Sequence, residues 1–73
     1  MDHAELARDV LELNTRVFPD TFNTWDSLGE AHMALGKTGD AIRCYERSLE
    51  LNEDNTNAAS MLARLREGVT VRN

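Results

Sequence analysis

The chain has 73 residues, of which 41% are apolar and 29% charged, with one cysteine; this describes a small single domain with no disulfide framework. Thirteen acidic against eight basic residues leave a net charge of −5, which repels phosphate backbones and anionic headgroups and makes nucleic acid and membrane surfaces poor candidates as partners. No apolar run approaches the roughly 18 residues of a transmembrane span, and Met1-Asp-His-Ala-Glu5 has neither the basic region nor the apolar core of an export signal, so the cytoplasm is the default expectation.

Asp2 with Glu5 three residues on is a capping-box-like start for a helix over 2–17. Its apolar residues, Leu6, Ala7, Val10, Leu11, Leu13, Val17 and Phe18, make a stripe wider than one amphipathic face needs, so the helix should pack on two sides. Pro19 ends it, because proline disfavours a helical Phe18 and donates no backbone hydrogen bond. Phe22, Trp25, Leu28, Ala31 and Leu35 recur at three or four and predict a second helix to about Leu35. In the turn Gly36-Lys-Thr-Gly39-Asp40, Gly36 suits a left-handed C-cap and Thr38 an N-cap. A third helix carries Ala41, Ile42, Tyr45, Leu49 and Leu51. After a polar turn, 56–67 is a fourth, and 68–73 is expected to be a frayed tail.

Trp25-Asp-Ser-Leu28-Gly29-Glu-Ala-His32 followed by Ala41-Ile-Arg-Cys-Tyr45 has the spacings W-x-x-L-G-x-x-Y and A-x-x-x-F. By these residues the chain resembles the tetratricopeptide repeat (TPR) family. At an offset of 34 residues, the period of that repeat, Ala7 pairs with Ala41, Glu12 with Glu46, Asp20 with Asp54, Asn23 with Asn57 and Leu28 with Leu62. The resemblance implies an all-α fold of about four helices, antiparallel hairpins stacked in a right-handed superhelical array. The parsing is then the second helix of a partial repeat (2–17), a complete repeat (22–55) and a terminal capping helix (56–67). Pro19 falls where a repeat's closing Pro belongs, whereas Glu53 replaces it in the complete repeat, His32 replaces the usual Tyr and Ser48 a usual Ala. Tails of this pattern resemble the C-terminal ends of longer bacterial polypeptides, some with a hydrolase domain ahead of them, in which case any catalysis would lie outside this segment.

The resemblance also implies a binding function. In TPR stacks the first helix of each hairpin lines a concave face, which places Asn23, Asp26, Ser27, Glu30 and Met33, with Asn57, Ser60, Met61 and Arg64 on the last helix, on the contact surface. Some TPR proteins grip a terminal carboxylate with Lys and Asn where this chain has Asp26 and Glu30. Two carboxylates favour a basic or amide-rich peptide instead. Trp25, Leu28, Gly29, His32, Ala41, Tyr45 and Pro19 are the structural positions of the motif, and Gly29 and Ala41 are the close-approach residues.

His3, His32 and Cys44 have no zinc-like spacing, Gly36-Lys-Thr-Gly39 lacks the preceding glycine and strand of a phosphate loop, and no nucleophile, base and orienter can be named. Neither enzymatic activity nor a metal or other cofactor is expected. The rival to peptide binding is self-association: Leu6, Val10, Leu13 and Val17 lack a hairpin partner and would favour a homodimer.

Overall fold

Helices form in the order α1 (His3–Val17), α2 (Phe22–Ala34), α3 (Thr38–Leu51) and α4 (Thr56–Val71), and each packs on the next. The computed structural model describes residues 2–71, and among these there is no strand. The most extensive packing joins α2 to α3, making an antiparallel hairpin, with α1 set against α2 and α4 against α3. The Cα trace is a slab of 35 × 32 × 14 Å. A slab this thin leaves room for only a short list of buried side chains.

Local chemistry sets the helix ends. Asp2 Oδ1 accepts from the Glu5 amide at 2.9 Å and starts α1. At its other end Phe18 leaves the helical region, and Pro19 then presents its carbonyl to the Trp25 indole N–H at 2.8 Å, fastening the turn to α2. Gly36 takes φ +74°, donating to Met33 O at 3.0 Å while Lys37 donates to His32 O at 2.8 Å. These two bonds are a Schellman closure, which only a residue free of a Cβ adopts without strain.

That closure corrects the expected start of α3. Lys37, held non-helical by its bond back to His32, takes the N-cap position and its carbonyl accepts from Ala41 at 3.0 Å; Thr38 is the first helical residue, not the cap. A second correction falls on α4, which continues through Gly68 to Val71 where the sequence suggested an end at 67. Gly68 lacks the positive φ that lets Gly36 turn a helix off. The last part of the expected tail, 72–73, lies outside the described residues.

The core is Ala41, Tyr45, Ala58 and Leu62, with Met33, Ile42, Leu49, Met61 and Leu65 packed around it. Leu28, Ala31 and Cys44 are also buried, and burial pushes the Cys44 thiol up to about 11. Ion pairs decorate the rim. Arg43 pairs with Asp40, Arg8 with Asp9, and Arg47 lies 3.7 Å from both Asp20 and Glu50. Arg66 pairs with Glu46, a bond between α4 and α3. Exposed pairs of this kind contribute little to stability.

Candidate functional site

The accessible strip of α2 consists of Asn23, Ser27, Glu30 and Ala34, all exposed and spaced four, three and four apart. On the α1 side of that strip lies an open cleft of about 390 Å³, lined by Ala4, Ala7 and Leu11 from α1 and by Ser27, Glu30, Ala31 and Ala34 from α2. Alanines keep the cleft open because they project too little to fill it. Its floor is apolar, and Ser27 and Glu30 supply the polar groups.

Asp26 and Met33 turn toward the other side. Met33 is half-buried against the core, and the Tyr45 hydroxyl donates to its Sδ at 3.9 Å. Asp26 Oδ2 accepts from Asn55 Nδ2 at 2.9 Å, and its Oδ1 is buried with no hydrogen-bond partner. Asn55 also donates to Ser48 Oγ at 2.9 Å, Ser48 donates to Phe22 O at 3.1 Å, and Asn55 Oδ1 accepts from the Ala58 amide at 3.2 Å as the N-cap of α4. One amide thus ties α2, α3 and α4 together. Ser48, fully buried where the repeat usually has Ala, has its hydroxyl explained by this network.

Asn55 is not among the residues that the sequence marks for a role. An asparagine three residues ahead of an apolar helix position is a recognisable N-cap, but its pairing with Asp26 is not visible along the chain. On α4, Asn57, Ser60 and Arg64 are exposed. The expected contact residues therefore divide: Asn23, Ser27 and Glu30 border open space on α2, Asn57, Ser60 and Arg64 do so on α4, while Met33 and Met61 pack against the core and Asp26 is bonded to Asn55.

The motif positions pack as a unit. A Cβ built on Gly29 would lie 3.0 Å from Tyr45 Cε2 and Cζ, so the bare α2 backbone is what admits the ring. Leu28, Ala41 and Tyr45 are buried, and Trp25 is half-buried. Burial pushes the Tyr45 hydroxyl up to about 12, with Glu30 and Asp26 adding to the rise. His32 is buried and its Nδ1 has no partner; desolvation lowers its pKa, opposed by Glu12 and assisted by Arg8, Lys37 and Arg43.

The family model of the tetratricopeptide repeat matches residues 22–55, from the first residue of α2 to the cap of α4. Residues 22–55 of this chain are a tetratricopeptide repeat. Similar proteins include Superkiller complex protein 3 of Mus musculus, 31% identical over 65 residues, and that of Homo sapiens, 29% identical over 65 residues. Each alignment covers 89% of this chain but 4% of the relative, so the chain spans a small fraction of the proteins it matches. Both relatives are mammalian, and they lend no support to the expectation of a bacterial parent. No solved structure matches. TPR repeats are generally protein–protein interaction modules and the family is typically non-catalytic. Among the described residues no helix is long and apolar enough to cross a membrane, and no group of three or more His, Cys, Asp or Glu side chains could hold a metal ion.

Proposed function

We propose that this TPR segment binds a peptide, or an extended stretch of a neighbouring protein, along the concave face formed by the open strip of α2 and the outer residues of α4. A small apolar side chain of the ligand enters the cleft against Ala7, Leu11 and Ala31, and a basic or amide group beside it meets Glu30. Asn23 and Asn57 hydrogen-bond the ligand backbone, and Arg64 meets an acidic or carbonyl group at the far end. The observation that supports this reading is the α1–α2 cleft itself, about 390 Å³ with an alanine-rich floor and one exposed carboxylate at its rim. Asp26, which the sequence alone pairs with Glu30 as a ligand carboxylate, accepts from Asn55 Nδ2 and is left out of the ligand contact in this reading. The relatives bear a name that places them in a complex, which agrees with a role in assembly.

The test is a fluorescence-anisotropy screen of peptides carrying a small apolar residue next to Lys, Arg or Gln, repeated with Glu30→Lys. Loss of about three- to tenfold in affinity for the basic peptides, with Gln peptides less affected, is the expected result for a rim charge pair. Equal affinity for wild type and variant would remove Glu30 from the contact.

A second reading, self-association, is favoured by a different observation. Among the described residues the large apolar side chains left exposed are Leu6, Val10, Leu13, Val17 and Phe18, at 52–58% exposure, all on α1 or at its end. The cleft and this stripe lie on different faces of α1 and meet only at Ala7, so the two readings use largely separate surfaces.

A further inference from the structure

The outer stripe of α1 has the spacing of a helix–helix seam, and its flanking charges say which orientation of partner fits it. Thr15, buried at 6%, marks the side of α1 that faces the rest of the chain. At 3.6 residues per turn, Leu6, Val10, Leu13 and Val17 fall on the opposite side, in steps of four, three and four. Those steps are the a and d positions of one and a half heptads. Asp9 and Arg16, seven apart and both exposed, run along one edge of the stripe, whereas the other edge carries Ala7 and Asn14.

We propose that α1 packs against α1 of a second copy in antiparallel orientation, about a two-fold axis passing between Val10 and Leu13, with Asp9 of each copy beside Arg16 of the other. This proposal rests on the self-association reading and adds to it the partner's register and direction. A two-fold contact is self-complementary: Leu6 of one copy meets Val17 of the other, and Val10 meets Leu13. Antiparallel packing brings like edges of the two helices together in reverse order, so the acidic end of the edge meets the basic end twice. In parallel packing each edge would meet the opposite edge, and Asp9 and Arg16 would face Ala7 and Asn14 without charge pairing. The charge pattern therefore selects the antiparallel pair. Asp9 already accepts from Arg8 Nε at 2.9 Å within its own chain, and a carboxylate has acceptor sites left for a second cation.

The experiment is sedimentation equilibrium of the intact chain from about 10 µM to about 1 mM, the range suited to an interface of this small size. Wild type is expected to move from one chain toward two. Asp9→Arg makes the edge wholly positive and Arg16→Asp makes it wholly negative, so each alone weakens self-association by about tenfold. An equimolar mixture of the two variants regains wild-type affinity, because unlike edges meet again in the mixed pair. Both positions are exposed, and circular dichroism checks that helix content is kept. If wild type dimerises and Val10→Glu prevents it, but the charge variants behave like wild type alone and mixed, the stripe self-associates and the antiparallel register is overturned. A mass of 8.2 kDa at every concentration overturns the dimer itself.

Discussion

Gly29 and Tyr45 show how little room the repeat allows at its crossing point. Replacing Gly by Ala inside a helix ordinarily gains about 1 kcal/mol, but here the new methyl would stand 3.0 Å from two ring carbons of a side chain that is 2% exposed. Tyr45 cannot swing away, since its ring is enclosed and its hydroxyl rests on Met33. The crowding should outweigh the propensity, and Gly29→Ala is expected to destabilise the chain by about 0.5–2 kcal/mol in urea unfolding. Tyr45→Leu, which copies the residue at the equivalent position in α1, vacates the space. In that background Gly29→Ala should be stabilising, so the two substitutions couple by about 1 kcal/mol or more in a double-mutant cycle. Additive effects would mean that the ring does not set the helix separation.

Between elements, Asn55 carries more than a cap. Asn55→Ala removes the acceptor for the Ala58 amide and leaves Ser48 Oγ and Asp26 Oδ2 without the Nδ2 donor. A lost N-cap costs about 1 kcal/mol and a stranded buried polar group about 1–3 kcal/mol, so a loss of about 2–4 kcal/mol is expected. Asn55→Asp separates the two roles: it keeps the cap acceptor but sets a second carboxylate against Asp26. If capping were the whole contribution, the Asp variant would match wild type in chemical denaturation; we expect it to be clearly less stable at neutral pH. The same residue marks how far the sequence could be read. Pro19, Gly36 and the Trp25 to Tyr45 spacings act locally or through a fixed repeat, and the four helices follow from them. The Asp26–Asn55 and Phe22–Ser48 contacts join residues 29 and 26 positions apart, and no pattern along the chain announces such a pairing. Asp26 and Met33 were therefore legible as one face of α2 but not as residues turned to the packing between helices. The end of α4 was misread for the opposite reason, because Gly68 is a stop only when it takes a left-handed conformation, and composition does not fix that.

Across the whole molecule, stability should carry a pH dependence that originates at His32. Its imidazole is buried at 6% exposure with Nδ1 unpartnered, and it feels Glu12 and Arg8 from α1 as well as Lys37 and Arg43 from the α3 side. Desolvation is the largest of these influences and lowers the folded pKa below 6.5. Protons then bind the unfolded chain more readily than the native one. The neutral, buried form contributes fully above about pH 6.5, and stability falls as the pH drops from there toward the lowered native value, by at most about 1.4 kcal/mol per pH unit. Acidification also moves the chain from its net charge of −5 toward its isoelectric point near 4.8, which relieves self-repulsion and acts in the opposite direction. The two effects separate by comparison with His32→Phe, which keeps the charge background and removes the titrating ring. Urea midpoints between about pH 5.5 and 7.5 should fall on acidification more steeply in wild type than in the variant. Parallel curves would show that His32 binds its proton equally well in both states, and would locate the pH response in the surface charges instead. Because the fold is one repeat with a single helix on each side, a proton that disfavours the α2–α3 hairpin disfavours the support of α1 and α4 as well, so the loss should register in the cooperative unfolding of the entire chain.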